Sequence, residues 1–372
     1  MEFCGKYLEE WKFSPFGTSR LWIKEIRAAT YKIIPPSRML WTANQELEIG
    51  SSLVSVPTYL KFIKEELNSL QEFIRSTLMF NTPTEDFNRM CSPLSLRTAT
   101  GRPSIGDNPL FLETAFLYKD DPSGFFLNQD ALNLVTHMAK DGCLGLNSTI
   151  SPVDVLVPRD KSRQVEWDHP KCYQWLSNIH IAWERAYCLY HTTSGLPARA
   201  TEEVTLRMTH SSLGPTNLFI VNGKLETRSD YNKTSTTSGL SKHITRVFHP
   251  DLAHIFLVLL MCIRPLEYQV LKGVGSVDDS TDFVYTTMLF ASWGRMWDSK
   301  GATELFAPWI SQGLGLDHAG VALYRQFATA LQRKWLTEMD SLARLDYDKA
   351  AQGDESQFAA VSKWWQANLQ LD

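Results

Sequence analysis

The sequence predicts a mainly α (α+β) protein: a helical N-terminal region, then a larger helical domain with one small β-hairpin. Three observations carry this. Apolar residues recur three or four apart over 58–78 and 173–190. An apolar run over 252–263, interrupted by His254, is too short to cross a bilayer and predicts a buried core helix. The dipeptide Asn222-Gly223, set between two apolar stretches, marks a two-residue hairpin turn, whose central residues both need positive φ.

Each element follows in order. Residues 1–50 are mixed and aromatic-rich, and Pro35-Pro36 breaks any helix there. Leu60, Ile63, Leu67, Leu70, Phe73, Ile74 and Leu78 trace one face of a helix over 58–78. Pro83, Pro93, Pro103 and Pro109 make 81–110 a loop or linker. A short helix is expected over 127–139, and 143–170 is irregular with a strand-like stretch at 153–157. Trp175, Leu176, Ile179, Trp183, Ala186, Tyr187 and Tyr190 define the apolar face of the next helix, which is core rather than a base-stacking platform. A turn at Ser194-Gly195-Leu196-Pro197 leads into a helix over 198–208, with Pro197 suited to its first turn. Strands are expected at 218–221 and 224–231, then a polar loop at 234–242 and the core helix, which Arg264-Pro265 should end while Arg264 anchors a loop. Residues 273–300 should be loop with a short helix near 285–291, followed by helices over 320–342 and 357–369.

Composition narrows the function classes. A chain of 372 residues with 44% hydrophobic and 21% charged residues folds as two domains, or as one with an appendage, rather than staying disordered. The net charge of −4 excludes a strongly basic nucleic-acid binder, so any such contact must be local. Residues 199–250 offer one locality: seven Lys and Arg stand against four acids. Asp346, Asp348, Asp354 and Glu355 make the tail acidic, against DNA binding. The six Cys are scattered and no two have zinc-knuckle or redox-pair spacing. With no secretory signal this predicts a reducing nuclear or cytoplasmic compartment, neither secreted nor membrane-bound, and makes the sequons at Asn147 and Asn232 chance matches. There is no P-loop, no H-E-x-x-H and no G-x-S-x-G, and Gly273-Val274-Gly275 lacks the strand–turn–helix setting of a dinucleotide loop. No cofactor and no metal are expected. His243, His249 and His254 fit structural roles better than catalytic ones.

Three features carry chemistry together. Arg199 and Glu202 lie one helical turn apart, so a carboxylate can hold the guanidinium while its fork points outward. Lys233 is expected near the tip of a β-hairpin element, and Arg325 opens a helix. Two Arg and one Lys converging would bind a phosphodiester and stabilise charge on its oxygens.

The order Arg, hairpin Lys, then Arg followed by Phe-Ala-Thr resembles the catalytic domain of tyrosine recombinases. In that family a T-G-L-R-x-x-E turn carries the first Arg, a β-hairpin carries the Lys, and H-x-x-R-H-x-F-A-T carries the second Arg. Ser194 to Arg199 with Glu202 matches the first motif with an insertion, and Arg325 to Thr329 matches the third with one position contracted. The likeness is closer to the recombinase-like region preceding the helicase domain in fungal telomere-linked, RecQ-type helicase and mobile-element proteins. Those show T-S-G-L-P-A-R-G-T-E, then Y-H-K-T-S, then R-P-x-E; this chain has Thr193 to Glu202, Tyr231 to Ser235 and Arg264-Pro265-Leu266-Glu267. The resemblance implies a recombinase-like domain over 126–345, a helical region at 1–125 in the place of a clamp domain, and a divergent tail at 346–372. It implies phosphate contacts from Arg199, Lys233 and Arg325, with Glu202 orienting Arg199, DNA as partner through its backbone, no small-molecule cofactor, and room for a homo-oligomer on DNA.

The departures bear on activity. The family's catalytic His falls on Ala322, with His318 nearby but displaced. Tyr347 lies 22 residues past Arg325, in the neighbourhood of the family's later His or Trp rather than its nucleophile, and no Tyr follows it. Without a nucleophile no covalent 3′-phosphotyrosyl bond forms. The expectation is therefore a DNA-binding protein of mobile or subtelomeric-element origin, a pseudoenzyme without strand cleavage. A non-enzymatic helical scaffold or relic fragment, and an active recombinase using Tyr347, remain as alternatives.

Overall fold

The computed structural model describes residues 39–42, 45–49, 52–91, 129–157, 165–195, 197–209, 216–221, 224–229, 244–275 and 280–347, with isolated positions besides; side chains are described to Lys334. The protein is mainly α with small antiparallel sheets. Two compact units divide at Val56.

The first unit holds a sheet where a helical region was expected. Strands β1 (Met39–Trp41), β2 (Glu46–Ile49) and β3 (Ser52–Ser55) pair antiparallel, Leu47 opposite Val54. The alternation in β2 buries Leu47 and leaves Glu48 in solvent, the period-two pattern of a half-buried strand. Three strands in so short a stretch carry too few apolar residues for their periodicity to stand out.

The second unit opens with α1 (Val56–Phe73), which runs into a π-turn at Ile74–Leu78. Its buried residues Tyr59, Ile63, Leu67, Leu70 and Ile74 keep the predicted spacing. A six-residue helix α2 (Thr84–Arg89) lies within the stretch expected to be loop, with Pro83 supplying its start. Next come α3 (Gln129–Lys140) and α4 (Pro152–Leu156). The latter is helix where a strand was expected. Val153, Val155 and Val157 alternate as in a strand, but Pro152 at the first helical position presets the local backbone.

The long helix α5 (His169–Thr193) is the spine. Asp168 caps it, accepting from the Lys171 N–H, and Pro170 fills its first turn. Its N-terminal half buries one stripe only. From Ala186 onward every residue through Thr193 is buried. Burial on all sides forces each polar group there to find a partner. Thr192 and Thr193 donate back to the Cys188 and Leu189 carbonyls, and Tyr190 Oη lies 2.6 Å from Thr227 Oγ1.

The helix expected over 198–208 is only α6 (Ala200–Glu203). Strands β4 (Leu218–Val221), β5 (Lys224–Ser229) and β6 (Ile244–Val247) then form an antiparallel sheet rather than a lone hairpin. Ser229 pairs with Ile244 at the end of the β5–β6 ladder.

The core rod comprises α7 (Pro250–Val258), a π-turn at Leu259–Ile263 and α8 (Arg264–Gly273). Pro265 does not end it. Proline removes one backbone donor and crowds the preceding turn, and the π-turn just before it absorbs both effects. The rod is long and apolar enough to span a membrane, yet nearly all of it is covered by the rest of the protein, as in a core helix. Arg264 does anchor a loop, as expected. Its fully buried guanidinium donates to the Met288, Leu289 and Ala291 carbonyls at 2.6, 2.9 and 3.2 Å. It lies over the Trp183 and Tyr285 rings at 4.7 and 5.5 Å. The short helix α9 (Thr281–Thr287) precedes that loop, earlier than expected, and β7 (Ala291–Ser292) with β8 (Arg295–Met296) follows it. Helix α10 (Ser299–Leu314), unanticipated, and α11 (Val321–Tyr347) complete the unit. The helix expected over 357–369 lies outside the described residues.

Candidate phosphate site

The site grows from the buried end of α5. Ser194 closes that helix, its N–H donating to the Tyr190 carbonyl at 3.2 Å. Gly195 follows at φ +113, a conformation that suits only glycine although there is space for a side chain. Leu196 lies outside the described residues; Pro197 and Ala198 are buried. Arg199 is then the N-cap residue of α6, with extended backbone and a half-buried side chain.

Glu202 engages Arg199 differently from the expectation. Its carboxylate accepts the Arg199 backbone N–H at 3.5 Å, the carboxylate half of a capping box; arginine has no acceptor for the other half. Among the described residues no hydrogen bond or ion pair engages the Arg199 guanidinium. Glu202 thus fixes where the chain enters α6, and leaves the cation uncommitted.

The adjacent Glu203 is the carboxylate that holds the turn. It is buried, and its Oε2 lies 2.6 Å from Nδ1 of the equally buried His191. Burial alone would raise the Glu203 pKa; His191, Arg246 and a hydrogen bond from Tyr187 outweigh it and hold the carboxyl below its usual range. The His191 ring also packs against Phe306 of α10 and Tyr324 of α11, at 4.5 and 5.8 Å between centroids. One buried pair therefore ties α5 and α6 together where α10 and α11 arrive. Sequence reading missed His191 as a participant. The available signal was a polar residue continuing the apolar face that ends at Tyr190.

Arg325 follows Tyr324 on α11. Tyr324 is fully buried and donates to the Thr192 carbonyl at 2.9 Å, which pins the Arg325 turn to the end of α5. The Arg325 side chain is exposed and, like that of Arg199, engages no described residue in a hydrogen bond or ion pair. Ala322 is exposed on the same turn, and His318 is exposed in the loop before α11. Lys233 lies outside the described residues, as do Tyr231 to Ser235. Tyr347 is the last residue of α11, and its side chain is outside the described set.

The structure thus ties the segments carrying Arg199 and Arg325 to one helix end. Among the described residues no three His, Cys, Asp or Glu side chains gather as a metal site. No family model matches the chain, and no solved structure matches it.

Proposed function

We propose that this chain is a recombinase-derived DNA-binding protein of mobile or subtelomeric-element origin that holds the phosphate backbone and does not cleave it. One observation carries the reading: Arg199 and Arg325 have guanidiniums with no described partner, on segments both anchored at the C-terminal end of α5. A planar fork with no carboxylate to satisfy it is available to a phosphate, which it binds bidentately. Lys233 follows Tyr231-Asn232 in the sequence as the lysine does in the motif that the chain resembles, which supports the same reading. Ala322 offers no proton donor or acceptor where the family has a His, which supports binding without cleavage. The net charge of −4 favours the second reading, a helical scaffold or relic with no DNA affinity.

Fluorescence anisotropy of a labelled duplex at two salt concentrations separates them. The first reading expects affinity that falls as salt rises, with Arg199→Ala and Arg325→Ala each weakening binding and each lowering the log–log salt slope by about one. No binding at low salt would sink it and leave the scaffold. A covalent DNA adduct lost in Tyr347→Phe would instead establish an active recombinase.

A further inference from the structure

Cys91 and Cys262 are 171 residues apart in the chain, and their Sγ atoms lie 3.3 Å apart, both buried. Two devices hold them there. The Cys91 backbone N–H donates to Asp130 Oδ2 at 2.9 Å, fixing the segment to α3. The Met90 carbonyl accepts from His254 Nε2 at 2.9 Å, and the Phe87 ring meets the His254 ring edge-on at 4.9 Å, fixing it to α7. Both cysteines also sit at irregular backbone. Cys91 has φ +53, unusual for a residue with a side chain, and Cys262 lies in the π-turn of the core rod. Regular helix at either place would put the sulfurs elsewhere.

We infer that Cys91 and Cys262 form a disulfide that closes reversibly in exchange with a small disulfide such as glutathione disulfide. A disulfide needs sulfurs at about 2.05 Å, so closure asks for an approach of about 1.3 Å, within reach of side-chain rotation beside an adaptable π-turn. The exchange balances. One protein thiolate attacks a sulfur of glutathione disulfide and expels one glutathione thiolate. The other protein thiolate then attacks the mixed disulfide and expels the second. One S–S bond breaks and one forms, two electrons pass to glutathione, and two protons leave the cysteines for the released thiolates. The neighbouring Cys262 sulfur and burial push the Cys91 thiol well above its ordinary range, so exchange takes place as the segment opens or before it packs. A cross-link over so long a stretch removes much freedom from the unfolded chain, and the oxidised protein melts higher, by on the order of 10 °C.

The test is to refold the full chain from denaturant in glutathione buffers of graded oxidised-to-reduced ratio, quench with acid, alkylate under denaturing conditions and map the peptides. The expected result is a linked Cys91–Cys262 peptide as the dominant disulfide, appearing at a lower proportion of oxidised glutathione than any other, with the melting point raised in step. The rise disappears in Cys262→Ala; if that variant does not fold, the linked peptide from the unaltered chain decides. Alkylated Cys91 and Cys262 at every ratio, or pairing of either with another cysteine, would overturn the inference.

Discussion

Replacing Arg264 with Met keeps most of the side-chain volume and removes the guanidinium. Three carbonyls, of Met288, Leu289 and Ala291, then lose their donor inside the protein. Each buried group left unsatisfied costs about 1–3 kcal/mol, and the costs are not additive. The variant also strips the nearest positive charge from Glu267. That carboxylate is buried, and its Oε1 accepts from Tyr285 Oη at 2.5 Å. Burial pushes its pKa up to about 7 even with Arg264 opposing the shift. Losing one member of a buried charge group costs about 3–5 kcal/mol, so the total expected for Arg264→Met is about 5 kcal/mol. Urea unfolding followed by tryptophan fluorescence measures it, with a midpoint lowered by roughly 1.5 M at an unchanged slope. The sign of the pH dependence follows from Glu267. A raised folded pKa means that the folded state holds the proton more tightly than the unfolded chain. Its stability contribution is greatest below the unfolded value of 4.5 and declines as pH climbs to the folded value. Removing Arg264 raises the folded value further, so the deficit of the variant must be larger at pH 8 than at pH 5. Adding Glu267→Gln must recover part of the pH 8 deficit. A loss under about 1 kcal/mol, or a deficit equal at both pH values, would refute the reasoning that this Arg anchors the loop and offsets the buried acid.

Two further outcomes are expected. Glu203→Gln leaves His191 without its carboxylate and should cost about 3 kcal/mol at pH 7. Because the folded Glu203 pKa is depressed, its contribution is present above the unfolded value of 4.5 and is lost as pH falls through the folded one. Melting curves of variant and parent should therefore converge in acid; a constant gap down to pH 3 would rule out an ionised Glu203 in the fold. Gly273→Ala places a methyl 2.0 Å from the Trp167 ring, an overlap that must shift the indole. The expected cost is about 1–3 kcal/mol with an altered tryptophan emission, and an unchanged melt would show that Trp167 is not seated against α8.

The elements legible in the sequence are those whose burial is one-sided. Helix α1 and the N-terminal half of α5 each write their covered face as a period that can be counted, whereas β4 and β5 were legible from the Asn222-Gly223 turn signal between them. Proline inside a helix hid part of the fold. Pro265 suggested a helix end that the π-turn prevents, and Pro308 lies inside α10, a helix the periodicity did not reveal. Asp298 starts α10 by accepting the N–H groups of Lys300 and Gly301, a local contact that composition alone does not weigh. Strand β6 is four residues in a polar stretch, and only its pairing with β5 makes it a strand. At the candidate site, Arg199 and Arg325 were legible as cations. The fastening of their segments was not. Sequence spacing suggested Glu202 as the carboxylate of interest, whereas the buried partner is Glu203, and its selection of His191 depends on how α6 meets α5.

The sealed end of α5 has a consequence for how the protein moves. Residues Ala186 to Thr193 have no solvent-facing side, so the amides of the last two turns are expected to be well protected from hydrogen exchange. Gly195 and the turn carrying Arg199 follow directly from this buried helix end. For the proposed phosphate contact, a cation placed there would meet the anion with its backbone already ordered, and ordering costs on binding would fall mainly on the side chain.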